Sequence, residues 1–241
     1  MSSQSHPDFK VKLFLDGAER AVMLEHASNP KTLGFTTNPT LMKKAGVKDY
    51  RAFCLELLPH LNEKPVSFEV FADDFTEMKR QALEISKWGS NVYVKIPITN
   101  SENSSAIPLI KELVQHKIKL NVTAIMTLSQ VWETAQALKG RAPSIVSVFA
   151  GRIADTGRDP MPIMKASSEL CRETDPNIEL LWASSREPLN IIQADQTGCH
   201  IITVSPDILK KLPLFGKSLQ TMSLDTVKTF KFDAESAGFS L

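Results

Sequence analysis

The sequence predicts an α/β fold: a closed (β/α)8 TIM barrel in a single domain, with an amphipathic helix at its C-terminal end. Three observations carry this expectation. Eight short apolar runs recur along the 241 residues, with successive starts 21 to 34 residues apart. A strand, a helix and two loops need about that length. The segments between the runs show helical periodicity. Finally, neither GxGxxG nor GxxxxGK[ST] occurs, so the glycine-rich phosphate loop that would favour an open doubly wound sheet is missing. The expected organisation is one domain over 1–241, with a barrel core at 8–211 and a helical extension at 212–241.

The runs are, in order, VKLFLD (11–16), LGFTTN (33–38), VSFEVF (66–71), VYVKIP (92–97), IKLNVTAI (118–125), SIVSVFAG (144–151), IELLWASS (178–185) and CHIITVS (199–205). Between the third and fourth, DDFTEMKRQALEISKWG opens with acids, carries Phe75, Met78, Ala82 and Ile85 on one stripe, and ends with Lys87 and Gly89. Acids first and a base last suit the helix dipole. SENSSAIPLIKELVQHK has Ile107, Ile110 and Val114 at helical spacing, with Ser101 as the expected cap. TLSQVWETAQALKGR places Leu128, Val131, Ala135 and Leu138 on one stripe and stops at Gly140. The tail SLDTVKTFKFDAESAGFSL carries Val227, Phe230 and Ala234 on a stripe expected to be buried at home, with a neighbouring subunit as the alternative.

Bulk composition narrows the function. Hydrophobic residues make up 42% of the chain, enough for a sizeable core. The net charge of +1, with acids and bases interspersed, gives no basic stripe for nucleic acid. No apolar stretch approaches the roughly 20 residues that span a bilayer. MSSQSHPDFKVK lacks the apolar core of a signal peptide. Cys54, Cys171 and Cys199 are odd in number and lack CxxC spacing, so they read as thiols in a reducing compartment. The expected location is the cytoplasm.

One residue breaks the pattern. Lys95 stands in the middle of NVYVKIPIT, a run that otherwise reads as a buried strand. It must reach water, pair with an acid, or lose its proton. Functional groups of such a barrel sit at the C-terminal ends of its strands, and those ends are polar here. They deliver Asp16, Asn38, Glu69, Lys95, Asn121 with Thr123, Ser147 running on to Arg152, and Ser184 with Arg186. Each has a bland alternative. Asp16 can cap a turn, and Asn38 before Pro39 can be a turn residue. Glu69 can pair with a structural lysine. Asn121 and Thr123 can be satisfied core groups, the arginines can form surface ion pairs, and Lys95 can snorkel. Structural accidents would not all gather at one end of one barrel.

Together the residues suit imine chemistry. Desolvation favours the neutral amine of a lysine, which attacks a carbonyl and forms a Schiff base. The protonated imine is an electron sink that lets a C–C bond break. Asp16 is the candidate base for the departing hydroxyl, and Glu69 with Thr123 the candidates for a water relay. Asn38 and Asn121 suit substrate hydroxyls. Arg152 and Arg186 suit a terminal phosphate, helped by Ser147 and Ser184.

The blocks FLDGA, FTTNPTL, SFEV, YVKIP, LNVTAI, SVFAGRIADTG and WASSRE resemble, in order, the signature blocks of the transaldolase family, which includes the fructose-6-phosphate aldolase-like members. The resemblance spans residues 13 to about 210. It implies a circularly permuted (β/α)8 barrel with Lys95 as the Schiff-base lysine on the fourth strand and Asp16 as the general acid/base. It implies Glu69 and Thr123 as the pair that positions the catalytic water. Asn38 and Asn121 match residues that hold the dihydroxyacetone unit, and Ser147, Arg152, Ser184 and Arg186 match contacts to substrate hydroxyls or phosphate. The family uses no metal and no organic cofactor; its partners are sugar phosphates of the pentose phosphate pathway. Neither nucleic acid nor membrane is expected, and a homo-oligomer is possible. Glu69 and Phe149 resemble true transaldolases, where aldolase-type members tend to carry Gln and Tyr. The resemblance thus implies transfer of dihydroxyacetone from fructose 6-phosphate or sedoheptulose 7-phosphate to an aldose phosphate. The alternatives are an aldolase releasing free dihydroxyacetone, a member acting on another sugar, or a non-catalytic phosphosugar-binding barrel. One departure stands out: Gly17 replaces the family's usual Thr after the first strand.

Overall fold

The computed structural model describes residues 9–240. They fall into two compact units, one from Phe9 to Leu209 and one that begins at Lys210. The first is a closed barrel of eight parallel strands in chain order: β1 (Lys12–Asp16), β2 (Gly34–Thr36), β3 (Val66–Glu69), β4 (Val92–Pro97), β5 (Leu120–Ile125), β6 (Ser144–Val148), β7 (Ile178–Trp182) and β8 (Ile201–Val204). β1 pairs with both β2 and β8, which closes the ring. Each of the eight apolar runs supplies one strand.

The helices of this unit are α1 (Arg20–Ala27), α2 (Pro39–Lys44), α3 (Tyr50–Leu57), α4 (Phe75–Ile85), α5 (Ile107–Leu113), α6 (Leu128–Leu138), α7 (Ala150–Asp155), α8 (Met161–Thr174), α9 (Leu189–Gln196) and the short α10 (Pro206–Leu209). Local chemistry accounts for their ends. Asp74 caps α4 by accepting from the Glu77 backbone N–H, and Met78, Ala82 and Ile85 are buried. Thr127 and Gln130 form a reciprocal capping box on α6. Gly140 stops that segment at φ +69°, where a Cβ would be strained. α5 departs from expectation. It begins at Ile107, not near Ser101, because Pro108 is tolerated only in the first turn of a helix. Ser101 instead gives its hydroxyl and its backbone N–H to Asp73.

The barrel interior is layered. Side chains two apart on a strand share a face, and on four of the strands an inward apolar residue has a polar one above it toward the strand's C-terminal end. Phe14 precedes Asp16, Tyr93 precedes Lys95, Ile145 precedes Ser147, and Ile201 precedes Thr203. Phe14, Ile145, Leu181 and Ile201 form one buried cluster with Tyr93 packed on it. The Phe14 ring lies where a side chain of Gly34 would be, 2.4 Å from the ideal Cβ, so residue 34 must be glycine for the ring to fill the barrel. The apolar layer is thus a floor on which the polar groups stand. All three cysteines are buried and unbridged, and burial pushes the Cys171 and Cys199 thiols up to about 12.

The second unit holds α11 (Leu219–Ser236), capped by Ser218. No residue of α11 is buried. Val227 and Phe230 are 60% and 68% exposed, so the apolar stripe expected to be buried stands open. Among the described residues no helix is long and apolar enough to cross a membrane, and no cluster of three or more His, Cys, Asp or Glu is placed to hold a metal ion.

Candidate active site

Strand register brings the polar groups together. Glu69 on β3 stands beside Lys95 on β4, which stands beside Asn121 on β5. Asp16 on β1 stands beside Thr36 on β2. Lys95 is only 6% exposed, so it does not snorkel. Of the three fates open to a lysine in an apolar strand, it pairs: Nζ lies 3.1 Å from Glu69 Oε2 and donates to the Thr37 carbonyl at 3.2 Å. A charge buried this deeply requires such partners.

Asp16 faces the same space. Thr36 donates its hydroxyl to Asp16 Oδ1 at 2.8 Å. Burial pushes the Asp16 carboxyl above the usual carboxylate range, outweighing the charge of Lys95 and the Thr36 hydrogen bond, both of which pull it down. A carboxyl held above its ordinary range is suited to giving and taking protons.

Asn121 is fully buried. Its amide donates to Ser67 Oγ at 2.9 Å, and its carbonyl oxygen accepts from Ser147 Oγ at 2.6 Å. An amide side chain has two donors and two lone pairs, so one N–H and one lone pair remain for a substrate. Beyond Asn121 the β5 register slips: Val122 pairs with Val146 and Ile125 with Val148, so Thr123 and Ala124 oppose Ser147 alone. Such a bulge re-aims side chains. Thr123 is 1% exposed, and its hydroxyl has no partner among the described groups. Ala124 in the bulge and Ser184 past β7 both take left-handed backbone, φ +61° and +62°. Strained non-glycine residues gathered at one site are a feature of functional centres.

Some sequence candidates also serve the scaffold. Asn38 Oδ1 caps α2 by accepting from the Leu41 backbone N–H, with Pro39 in the first turn. Its amide N–H groups stay free of that cap. Arg186 lies in an ion pair, with Nε and Nη2 on the two oxygens of Asp155. Arg152 is exposed and has no ion pair or hydrogen bond among the described groups. Gly151 brings the two arginine-bearing segments together. An added Cβ there would lie 1.6 Å from the Ser184 carbonyl oxygen and 3.2 Å from Arg186 Nε. Only glycine lets α7 press this closely on the end of β7.

One cavity of about 550 Å³ is lined by Asp16, Asn38, Glu69, Lys95, Asn121, Thr123, Ser147, Phe149, Arg152, Ser184 and Arg186, so the fold gathers every sequence candidate. It also adds groups that sequence reasoning passed over. Thr36 and Thr203 line the cavity, the Thr37 carbonyl holds Lys95, and Asp155 holds Arg186. Thr203 interrupts an apolar strand end just as Lys95 does, and that signal was available at the eighth strand.

A profile for Transaldolase/Fructose-6-phosphate aldolase matches residues 13–241. The chain belongs to that family. Among curated relatives, a probable transaldolase of Dehalococcoides mccartyi is 35% identical over 84% of this chain and 90% of its own length. Another, from Herpetosiphon aurantiacus, is 31% identical over 89% of this chain and 94% of its own length. A third, from Clostridium acetobutylicum, is 33% identical over 91% and 99%. Among solved structures, 3-hexulose-6-phosphate synthase superposes with a TM-score of 0.57 at 15% identity, covering 83% of this chain and 91% of that one. That likeness concerns the barrel alone. In this member of the transaldolase/fructose-6-phosphate aldolase family, the blocks that carry the resemblance are the strand ends that line the cavity.

Proposed function

We propose that this chain is a transaldolase that moves a dihydroxyacetone unit from a ketose phosphate, such as fructose 6-phosphate or sedoheptulose 7-phosphate, to an aldose phosphate through a Schiff base on Lys95. The observation that carries the reading is Lys95 itself: a buried amine 3.1 Å from Glu69 Oε2, in one cavity with Asp16.

The chemistry follows from this placement. Glu69 takes the ammonium proton, and the free amine adds to the ketose C2 carbonyl. Loss of water leaves a protonated imine, with Glu69 and Thr123 handling the protons and the water. Asp16 takes the C4 hydroxyl proton as the C3–C4 bond breaks. The bond's electron pair flows into the imine, an aldehyde leaves, and an enamine remains on Lys95. The enamine carbon then attacks the carbonyl of the incoming aldose phosphate, Asp16 returns its proton to the new alkoxide, and water releases the ketose product from Lys95. Asn38 and Asn121 hold the three-carbon unit with the hydrogen-bonding groups their structural bonds leave over. Arg152 binds the phosphate, with Arg186 beside it offering the guanidinium edge that Asp155 does not occupy.

Phe149 separates transfer from release. It lines the cavity and packs on the apolar floor, and it offers no hydroxyl to hold a hydrolytic water near the imine. The enamine therefore waits for an aldehyde. The test is acceptor dependence. Product from fructose 6-phosphate should form quickly with an added aldose phosphate and slowly without one. Dihydroxyacetone released as fast as it is transferred would replace this reading with an aldolase.

A further inference from the structure

The site holds a hydroxyl chain that none of the proposed steps uses. Thr36 gives its one proton to Asp16 Oδ1. The same Thr36 oxygen is hydrogen-bonded to Thr203 Oγ1. A hydroxyl has one proton to donate, so with the Thr36 proton on Asp16, Thr203 must be the donor to Thr36. The direction of the chain is therefore fixed, from Thr203 through Thr36 to the carboxylate. Both threonines are buried, Thr36 at 2% and Thr203 at 4% exposure. Their backbones are locked by register to β1, Thr36 beside Asp16 and Thr203 beside Phe14. The Thr203 carbonyl also accepts from Ser185 Oγ at 2.9 Å, which ties the β7 end to β8 at this point.

We propose that Thr203 is a positioning residue for Asp16: acting through Thr36, it commits Oδ1 to the hydroxyl chain and leaves Oδ2 as the oxygen that exchanges a proton with the substrate. Asp16 Oδ2 has no hydrogen-bond partner among the described groups, whereas Oδ1 has Thr36. Donors in line polarise one another, so a chain of two hydroxyls favours the carboxylate more than one does. The cavity presents few other groups that act on Asp16. β4 contributes the Lys95 charge, which favours the carboxylate, and β3 contributes Glu69, which is paired to that lysine. Arg152 and Arg186 line the same cavity from the β6 and β7 ends. β2 and β8 contribute only the two neutral threonines. Removing the Thr203 hydroxyl leaves Thr36 without its donor, weakens the bond to Oδ1, and makes the carboxylate easier to protonate.

The proposal rests on Asp16 as the proton acceptor of the reaction, and two readouts keep the two claims apart. The first needs no substrate. In protein carrying ¹³C-labelled aspartate, the Asp16 carboxyl signal, assigned by its loss in Asp16→Asn, is titrated in wild type, Thr203→Val, Thr203→Ala and Thr203→Ser. Val keeps the shape without the hydroxyl, Ala covers the case in which Val disturbs packing, and Ser restores the donor. The midpoint is expected to move up by on the order of half to one pH unit in Val and Ala and to return in Ser. An unmoved midpoint in both Val and Ala, or a Ser variant that behaves like Val, overturns the proposal. The second readout is the acidic limb of kcat/KM. It is expected to shift to higher pH by the same amount in Val and Ala and to be restored in Ser. A moved carboxyl midpoint with an unmoved limb would leave the hydroxyl chain standing and remove Asp16 from the reaction.

Discussion

Gly151→Ala offers a sharp test of how the site is assembled. The added Cβ would lie 1.6 Å from the Ser184 carbonyl oxygen and 2.8 Å from its carbonyl carbon. Carbon–oxygen contacts normally begin near about 3.3 Å, so α7 and the segment after β7 must part by about 1.5 Å or more. Neither side gives easily. The obstacle is backbone, Ser184 already sits at φ +62°, and the Asp155–Arg186 ion pair joins the same two segments. Overpacking of this kind costs about 1–3 kcal/mol, which for a chain of this size lowers Tm by roughly 2–12 °C. The parting also moves Arg152 and Arg186 relative to Lys95. Misplacement by about 1 Å costs on the order of 10²-fold in rate, and that loss is expected in kcat/KM for ketose phosphates. The assay is kcat/KM with fructose 6-phosphate and an aldose acceptor, together with thermal unfolding. Gly17→Ala is the control, because a Cβ there meets nothing within 4 Å and the backbone is not in the left-handed region; it should leave Tm unchanged or slightly raised. Wild-type Tm and kcat/KM in Gly151→Ala would refute the reasoning.

Other expectations follow from the same geometry. Arg152→Ala should lower kcat/KM for phosphorylated donors by about 10- to 100-fold, since a charged hydrogen bond contributes about 1.5–3 kcal/mol; equal loss with plain and phosphorylated sugars would remove the phosphate role. Phe149→Tyr should raise acceptor-free dihydroxyacetone release, with well-placed proton transfer worth about 10²–10⁴-fold; an unchanged release rate would remove Phe149 as the determinant. Asp16→Asn should stabilise the fold at neutral pH. The Asp16 carboxyl is held above its ordinary value of 3.8, so the native state binds its proton more tightly than the unfolded chain does. Wild type therefore loses stability as pH rises from 3.8 through that raised value, and the variant does not. The Tm gain should vanish below about pH 3.8, grow as pH rises above it, and level off once the pH passes the raised value; a gain that grows on acidification would contradict the burial argument.

Much of this fold was legible because strand and helix periods are written directly in apolar spacing. The eight runs each became a strand, and Lys95 was conspicuous because a charge in an apolar run has few outcomes. Most of the site candidates stood out for the same reason, as polar residues at the ends of apolar strands, whereas Phe149 came only from the family resemblance. What was hidden is non-local or unremarkable in composition. Asp155 meets Arg186 from 31 residues away, and nothing in the spacing announces it. Thr36 is an ordinary strand former in a run that carries other polar residues, so it draws no notice until its partner is seen. Asn38 and Asn121 show that the structural and functional readings of a residue need not compete, because each has hydrogen-bonding groups left after its scaffold bonds are made. The start of α5 was misplaced because Ser101 was weighed as a cap without weighing Pro108. The open stripe of α11 shows that amphipathic spacing specifies a face and not what covers it.

The central claim is that Lys95 becomes covalently bonded to the substrate. Incubation with fructose 6-phosphate, reduction with borohydride and peptide mass spectrometry test it most directly. The expected result is a reduced three-carbon adduct confined to the peptide that carries Lys95, and no adduct in folded Lys95→Met protein. An adduct of unchanged yield in the Lys95→Met protein, or one mapped to a different lysine of the wild type, would contradict the account.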